Sequence, residues 1–137
     1  MSITNNNTID YYENNASSFA EDTQDVRFTD VQNRFLSLLP QSGYILDFGC
    51  GSGRDTKYFI TRGYKVDASD GSERLCEIAS KNTGIAVKHM LFSELEEDAK
   101  YDGIWACSSI LHLPKNELSV VFMKMIRALK TNGYIYT

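Results

Sequence analysis

The fold follows from ten consecutive residues, Tyr44-Ile45-Leu46-Asp47-Phe48-Gly49-Cys50-Gly51-Ser52-Gly53. Their first half is an apolar run broken only by Asp47, which is typical of a strand buried on both faces of a sheet. Three glycines at alternate positions follow at once, and residues 54–60 then have apolar side chains on one side of a helix. A strand, a glycine turn and a helix in this order predict the first crossover of a nucleotide-binding α/β sheet. Glycine suits such a turn because it adopts backbone angles closed to other residues and lets a ligand approach the main chain.

The spacing of the glycines indicates which nucleotide is bound. A dinucleotide fingerprint has the pattern G-x-G-x-x-G, and the pyrophosphate lies at the helix N-terminus. Here the pattern is G-x-G-x-G, formed by Gly49, Gly51 and Gly53, and Asp47 stands two residues before it. Both the spacing and the acid disfavour a nicotinamide dinucleotide, because a carboxylate repels a pyrophosphate. The structural alternative is a tight strand-to-helix turn without a ligand.

This combination resembles motif I of the class I S-adenosylmethionine-dependent methyltransferases, in which two or three apolar residues precede acidic-x-G-x-G-x-G. The resemblance implies that the cofactor is S-adenosylmethionine and that Asp47 and the turn, including Cys50, bind it. The acid is chemically consistent with this cofactor, because its methionine end carries an ammonium group and no pyrophosphate.

A second acidic segment, Ser69-Asp70-Gly71-Ser72-Glu73, follows the predicted second strand. Asp70 lies 21 residues after Gly49, close to the separation at which a nucleotide fold places an acid on the ribose. A carboxylate accepts both hydroxyl hydrogens of a vicinal diol, so we predict that Asp70 binds the ribose and that Ser72 caps the next helix. The alternatives are Asp70 as the cap and Asp67 as the ribose acid. The stretch Asp70-Gly71-Ser72 also resembles the family's motif after the second strand, which implies that Gly71 and Ser72 contact the cofactor.

The resemblance implies two further groups of cofactor contacts. An apolar residue after the third strand lines the adenine in this family, and Met90-Leu91-Phe92 stands at that point, although Ser93-Glu94 follows where an Asp is common. A segment ahead of motif I often covers the cofactor as a lid, and Tyr11, Tyr12 and Arg27 resemble that segment. Ordinary helix packing by the tyrosines and a solvated Arg27 are the alternatives.

Residues 102–114 resemble the fourth-strand segment of the tellurite-resistance-like and neighbouring small-molecule methyltransferases. The acidic-Pro-Pro-aromatic loop of the amide and amino-base methyltransferases is absent, which disfavours methylation of DNA adenine or of glutamine. Cys107 ends this strand on the cofactor side, and His112 follows in the loop. His112 is the candidate catalytic residue, because histidine is suited to act as a base near neutral pH. A structural role is the alternative, since methyl transfer depends mainly on proximity and orientation.

Composition excludes several classes of protein. The 137 residues predict one domain, in which residues 1–28 form the lid segment. A net charge of -4 gives no broad basic field, so we expect a small-molecule substrate and no nucleic acid. The three cysteines are odd in number and include no C-x-x-C pair, which argues against a disulfide framework and against a zinc site. We therefore expect no metal and a cytoplasmic location. The sequence has no leader pattern and no apolar run of membrane length, so no membrane is expected.

Apolar spacing predicts the other elements. We expect helices at residues 9–22, 31–39 with Asp30 as cap, 53–62, 73–79 and 117–130, and strands at 44–48, 64–68, 85–87, 101–107 and 134–137. Their alternation predicts an α/β fold, a Rossmann-like doubly wound parallel sheet with strand order 3-2-1-4-5. Family members continue with two more strands, so the resemblance implies that the chain is incomplete at its C-terminus. The bare edge of the fifth strand predicts self-association.

The predicted function is therefore methyl transfer from S-adenosylmethionine to a small acceptor, either an oxyanion of the tellurite or selenite type or a small metabolite. A non-catalytic module that binds S-adenosylmethionine and an NAD-dependent oxidoreductase are the alternatives.

Overall fold

The computed structural model describes residues 18–106 and 110–137, with side chains from residue 28 onward except at 111. The helices are α1 (Ser18–Ser37), α2 (Arg54–Thr61), α3 (Glu73–Thr83) and α4 (Lys115–Ala128). The strands are β1 (Tyr44–Phe48), β2 (Lys65–Asp70), β3 (Lys88–His89), β4 (Tyr101–Trp105) and β5 (Leu129–Tyr136). Short 3₁₀ turns cover Phe92–Glu94 and Ile110–His112.

The five strands form one sheet in the order β3-β2-β1-β4-β5, and every neighbouring pair is parallel. The predicted α/β architecture and strand order are therefore confirmed. β1 lies between β2 and β4, with Asp47 opposite Ala68 on one side and Trp105 on the other. The carboxyl ends of these three strands meet at one edge of the sheet, which is where open α/β sheets bind their ligands.

Side chains of the central strands alternate between two helical layers. Ile45 and Trp105 face α1 and α2, where they pack with Phe35 and Phe59. The ring centroids of Phe35 and Phe59 each lie 5.2 Å from that of Trp105. The opposite face packs against α4 through Leu46, Phe48, Ile104, Val121 and Met125. Burial on both faces explains the uninterrupted apolar runs of these strands, and each such side chain contributes about 1.5–3 kcal/mol.

Gly103 allows α1 to lie close to β4. A Cβ atom at this position would stand 2.7 Å from Cζ of Phe35 and 3.0 Å from both methyl carbons of Leu39. The C-terminal half of α1 is thus fixed to the sheet by close packing.

The prediction of two separate N-terminal helices was wrong in the described part of the chain. Residues 18–37 form one helix, and Asp30 is an exposed residue within it and not a cap. The reason is that the buried side chains of Phe28, Gln32 and Phe35 continue at helical spacing and that neither glycine nor proline interrupts the segment. Residues 9–17 of the first predicted helix lie outside the described residues.

Two strand boundaries also differ from the predictions. β2 continues to Asp70, two residues beyond the predicted end. The third strand is Lys88–His89, which pairs with the end of β2, and not residues 85–87. The backbone N–H groups of Ile85 and Val87 donate instead to the hydroxyls of Thr83 and Ser80 in α3. These bonds hold residues 85–87 against the end of that helix and away from the sheet.

The end of the chain departs from the expected helix, turn and strand. α4 ends at Ala128, and β5 begins at once with Leu129. Residues 131–133 form an irregularity within β5, because Leu129 pairs with Tyr101 and Tyr134 pairs with Gly103. Asn132 has a φ of 69°, a left-handed conformation that asparagine tolerates better than most residues.

None of the helices in the described part of the chain has the length and apolar character needed to cross a membrane.

Candidate functional site

The glycine turn lies at the carboxyl end of β1 and is held against β2. The backbone N–H groups of Gly49 and Cys50 both donate to the carbonyl of Ser69, each at 2.9 Å. Gly49, Gly51 and Gly53 have φ angles of 81°, 58° and 90°, which explains why the turn needs glycine. A side chain at Gly51 would meet nothing within 4 Å, whereas a Cβ at Gly53 would stand 2.7 Å from Cγ2 of Thr83 in α3. Gly51 therefore leaves open space in the turn, and Gly53 allows α3 to pack against it.

Asp70, the last residue of β2, joins this turn to the loop that follows β2. Its Oδ2 accepts from the N–H of Gly51 at 2.8 Å, and its Oδ1 accepts from the N–H of Ser72 at 2.9 Å. A carboxylate has about four acceptor positions, so each oxygen can accept a further hydrogen bond. The Oγ of Ser72 accepts from the N–H of Leu75, and the predicted cap of α3 is confirmed.

The rival acid, Asp67, belongs to a different group of side chains. It lies inside β2 opposite Leu46, and its Oδ2 accepts from the hydroxyl of Tyr101 at 2.7 Å. The ammonium of Lys100 lies 3.4 Å from the same oxygen. Burial raises the pKa of Asp67, but hydrogen bonds from Tyr101 and Tyr44 and the charge of Lys100 outweigh it and lower the pKa overall.

Asp47 lies beneath the glycine turn on the face of the sheet that carries α2. It is 2% exposed, and its Oδ2 accepts from the hydroxyl of Thr56 at 2.6 Å. Burial and the nearby charge of Asp55 raise its pKa well above the ordinary value of a carboxyl, and the bond from Thr56 offsets only part of this. The folded protein therefore keeps Asp47 protonated up to a higher pH than an exposed carboxyl would be.

The raised pKa predicts how Asp47 affects stability. The stability that protonated Asp47 contributes to the fold is fully present below the unfolded-state pKa. It is lost as the pH rises through the folded-state pKa. We expect Asp47→Asn to remove this loss and to stabilise the ligand-free protein near pH 7 relative to its stability near pH 4. Urea unfolding between pH 4 and 8 measures the difference.

Asp67→Asn is the matched control for this prediction. The lowered pKa of Asp67 has the opposite consequence, since its contribution is present above the unfolded-state pKa and is lost as the pH falls. Asp67→Asn should therefore destabilise the protein near neutral pH. If the free energy of unfolding changed with pH in the same way in wild type and in Asp47→Asn, the raised pKa of Asp47 would be contradicted.

The prediction from sequence missed Asp55, in the first turn of α2. Its Oδ1 accepts from Nε2 of Gln32 at 2.5 Å, and its Oδ2 accepts from the indole Nε1 of Trp105 at 3.0 Å. An acid in the first turn of a helix is common, because its negative charge interacts favourably with the helix dipole. The sequence alone therefore indicated no further role for Asp55. Its partners lie 23 and 50 residues away in the chain and come together only in the folded protein.

The predicted adenine residues occupy different environments. Met90 is 7% exposed and belongs to the core, whereas Phe92 packs on Phe48 with ring centroids 4.8 Å apart. Leu91 is 57% exposed and stands beside Gly71, 3.6 Å from the position of a Cβ there. Leu91 and Phe92 open onto a cavity of about 330 Å³ whose other lining residues are Ser93, Leu113, Asn116, Glu117, Val120 and Val121.

The remaining predicted residues are only partly described. Tyr11, Tyr12 and Cys107 lie outside the described residues, as does the side chain of Arg27. His112 is exposed in the 3₁₀ turn that follows β4. His89 is exposed, and its Nε2 lies 3.1 Å from the carbonyl oxygen of Gly71.

Cys50 is half-buried in the glycine turn. Burial raises the pKa of its thiol, and the negative charges of Asp47 and Asp70 raise it further. Cys50 is therefore a neutral thiol at physiological pH and contributes no charge to the turn.

A glycine turn and an acid at the end of the second strand define a nucleoside-binding domain of the α/β class. Residues 45–133 match the family described as "Methyltransferase domain". The match covers well over half of the chain, and the chain belongs to this family. The class predicted from the sequence, a methyltransferase domain whose cofactor is S-adenosylmethionine, is thereby confirmed.

A sequence relative agrees with this assignment. The chain is 29% identical over 105 residues to the "Putative methyltransferase YqeM" of Bacillus subtilis (strain 168). The aligned region covers 71% of this chain and 42% of that protein, so the chain spans less than half the length of this curated relative.

Two solved structures share the fold. A TehB-like SAM-dependent methyltransferase from Corynebacterium glutamicum gives a TM-score of 0.65 at 19% identity, covering 87% of this chain and 73% of that chain. The 1,6-didemethyltoxoflavin-N1-methyltransferase of Burkholderia thailandensis, solved with 1,6-didemethyltoxoflavin and S-adenosylhomocysteine, gives 0.68 at 21% identity, covering 96% and 60%. At these identities the likeness establishes the fold.

Proposed function

We propose that the protein transfers a methyl group from S-adenosylmethionine to a small-molecule acceptor. The observation that carries this proposal is the position of Asp70, which is bonded to the N–H groups of Gly51 and Ser72 where β1 and β2 end. One carboxylate thus fixes the glycine turn and the next loop on either side of the point where open α/β sheets bind nucleosides.

The residues at this edge fit the cofactor. Gly51 leaves open the space that a side chain would fill, so a ligand can approach the main chain. Asp70 keeps acceptor positions for the two ribose hydroxyls. Asp47, buried beneath the turn, would accept a hydrogen bond from the ammonium of the methionine end, whose positive charge would favour the ionised form of this carboxyl.

The apolar cavity supports a site for the adenine. Leu91 stands at its rim and beside Gly71, so the cavity adjoins the loop held by Asp70. We propose that the base lies against Leu91 and Phe92, with Met90 behind them in the core. Ser93, Asn116 and Glu117 are the polar side chains of the lining that can bond to the edge of the base.

Catalysis in this proposal depends on alignment. The sulfonium of the bound cofactor supplies an activated methyl group. The protein orients the acceptor and excludes water, and we assign the closing segment to Tyr11, Tyr12 and Arg27. His112, exposed beside Leu113 at the cavity, would accept the proton that a nitrogen or oxygen acceptor loses.

The acceptor that we propose is small, either an oxyanion of the tellurite or selenite type or a small metabolite. The net charge of -4 supports a small substrate over a nucleic acid. The TehB-like methyltransferase and the 1,6-didemethyltoxoflavin-N1-methyltransferase share the fold. They suggest two groups of acceptors to test, namely oxyanions and small metabolites.

Ligand binding tests the proposed function directly. We expect S-adenosylhomocysteine to raise the melting temperature and NADH to leave it unchanged, because the turn lacks the dinucleotide pattern. Formation of S-adenosylhomocysteine with tellurite, selenite and small amines then tests turnover. Stabilisation by NADH alone would contradict the proposal, and binding without turnover over the whole panel would favour a non-catalytic module.

We also propose that the protein self-associates through β5. This strand lies at the edge of the sheet, with exposed Tyr134 and half-buried Ile135 near its end. An open apolar edge offers unpaired backbone groups to a second strand. Light scattering should give a dimer or larger species, and a monomer at 100 µM, about a hundredfold above a micromolar dissociation constant, would contradict this.

A cytoplasmic location is part of the same proposal. Cys50 and Cys76 are both free thiols, and both are at least half-buried. Unpaired cysteines of this kind suit a reducing compartment.

A further inference from the structure

Asp55 joins three elements immediately after the glycine turn. It belongs to α2, two residues beyond Gly53, and its two oxygens accept from Gln32 in α1 and Trp105 in β4. The two bonds have lengths of 2.5 and 3.0 Å. A single side chain therefore ties the start of α2 to a helix on one side and to the sheet on the other.

Water competes little for these bonds. Gln32 is 4% exposed and Trp105 is fully buried, while the side chain of Asp55 is 17% exposed. The two oxygens of a carboxylate accept from two donors in different directions, whereas the amide of asparagine has only one accepting oxygen. Neither buried N–H group would keep a good partner if Asp55 were removed.

Polar contacts join α1 and α2 at two places. The guanidinium of Arg54 lies 4.3 Å from the ring centroid of Phe28 in α1, next to the bond between Asp55 and Gln32. A separate hydrogen bond, from the hydroxyl of Tyr58 to Oδ1 of Asn33, connects the same two helices farther along α2. The polar contacts thus lie both beside the turn and away from it, in addition to the apolar packing of Phe35 on Phe59.

We infer that Asp55 is a positioning residue for the cofactor site, which fixes α1 relative to the glycine turn and to the carboxyl end of β4. The start of α2, next to Gly53 of the turn, is thereby held to α1 on one side and to β4 on the other. Removal of the tie keeps the bonds of the turn to Ser69 and Asp70 but releases the start of α2, and with it the Gly53 end of the turn, from both neighbours. This inference rests on the proposed function, because it assumes a cofactor in the turn.

A matched pair of variants tests the role of the tie. Gln32→Met keeps the length of the side chain and deletes the donor to Asp55, whereas Tyr58→Phe deletes the other bond between α1 and α2. We expect Gln32→Met to weaken the affinity for S-adenosylhomocysteine at least fivefold in titration calorimetry and Tyr58→Phe to change it less than twofold. Both should lower the melting temperature by a similar few degrees. Equal affinities for the two variants would overturn the inference.

The fluorescence of Trp105 gives an independent measurement. It is the only tryptophan of the chain, and its indole N–H is bonded to Asp55. S-adenosylhomocysteine should shift its emission in wild type and in Tyr58→Phe, and the shift should be lost in Asp55→Asn, even where calorimetry still shows binding. Either Asp55→Asn or Gln32→Met suffices if the other variant is unstable, because each of them removes part of the same tie. A shift retained in Asp55→Asn would overturn the inference, whereas wild type that binds no S-adenosylhomocysteine would overturn the proposed function itself.

Discussion

Asp70→Ala should lower the affinity for S-adenosylhomocysteine by at least about 100-fold, because one change removes two kinds of interaction. The ribose loses its charged acceptor, and each hydrogen bond to a charged group contributes about 1.5–3 kcal/mol. The N–H groups of Gly51 and Ser72 also lose their hydrogen bonds to the Asp70 carboxylate, whose N to O distances are 2.8 and 2.9 Å. The turn and the following loop are then no longer fixed relative to each other. Titration calorimetry with S-adenosylhomocysteine measures the loss.

Asp67→Ala is the appropriate comparison, since it removes the same chemical group three residues earlier in β2. Asp67 bonds to Tyr101 and pairs with Lys100, away from the glycine turn. We expect this variant to bind the cofactor within twofold of wild type while losing some stability. Tight binding by Asp70→Ala, or equal losses in the two variants, would show that Asp70 does not hold the ribose.

A second large effect separates the roles of two glycines in one turn. Gly53→Ala should destabilise the fold by about 3 kcal/mol, since a methyl group there would stand 2.7 Å from Thr83 and the residue has a φ of 90°. Gly51→Ala should cost only about 1 kcal/mol of stability, because its φ is 58° and the space beside it is open. If the cofactor binds as we propose, a methyl group at Gly51 would occupy space that the cofactor needs. We expect Gly51→Ala to lose binding in calorimetry and the larger Gly51→Val to lose it completely.

Gly63→Ala controls for the strained backbone. Gly63 has a φ of 92°, nothing lies within 4 Å of its missing side chain, and it follows the end of α2 away from the site. Its alanine variant should resemble Gly51→Ala in urea unfolding and wild type in cofactor affinity. If Gly51→Ala and Gly63→Ala bind equally well, the space beside Gly51 is not part of the site.

The central fold could be predicted because its signals are local. The apolar run of β1, the glycines and the cap at Ser72 lie within a few residues of the elements they specify. β3 could not be placed in this way, because residues 85–87 have the composition of a strand but bond to hydroxyls at the end of α3. That competition between helix and sheet depends on how close α3 comes to the sheet, which no local pattern records.

The candidate site likewise combines residues that local sequence patterns predict with residues that only the folded structure brings together. The position of Asp70 beside the glycine turn could be predicted, because it follows from one strand, one turn and the next strand. Asp55 was not found, because Gln32 and Trp105 reach it only after α1 and β4 have packed on either side of α2. A lone acid at a helix start is common, and its two buried donors are visible only in the folded protein.

The half-buried thiol of Cys50 has a consequence for how the protein tolerates chemical stress. Attack on peroxides and on electrophiles requires the thiolate, and the surroundings of Cys50 oppose its formation. We therefore expect hydrogen peroxide to oxidise this thiol more slowly than an exposed cysteine of ordinary pKa. A cysteine at the centre of the turn is thus less of a liability under oxidising conditions than its position suggests.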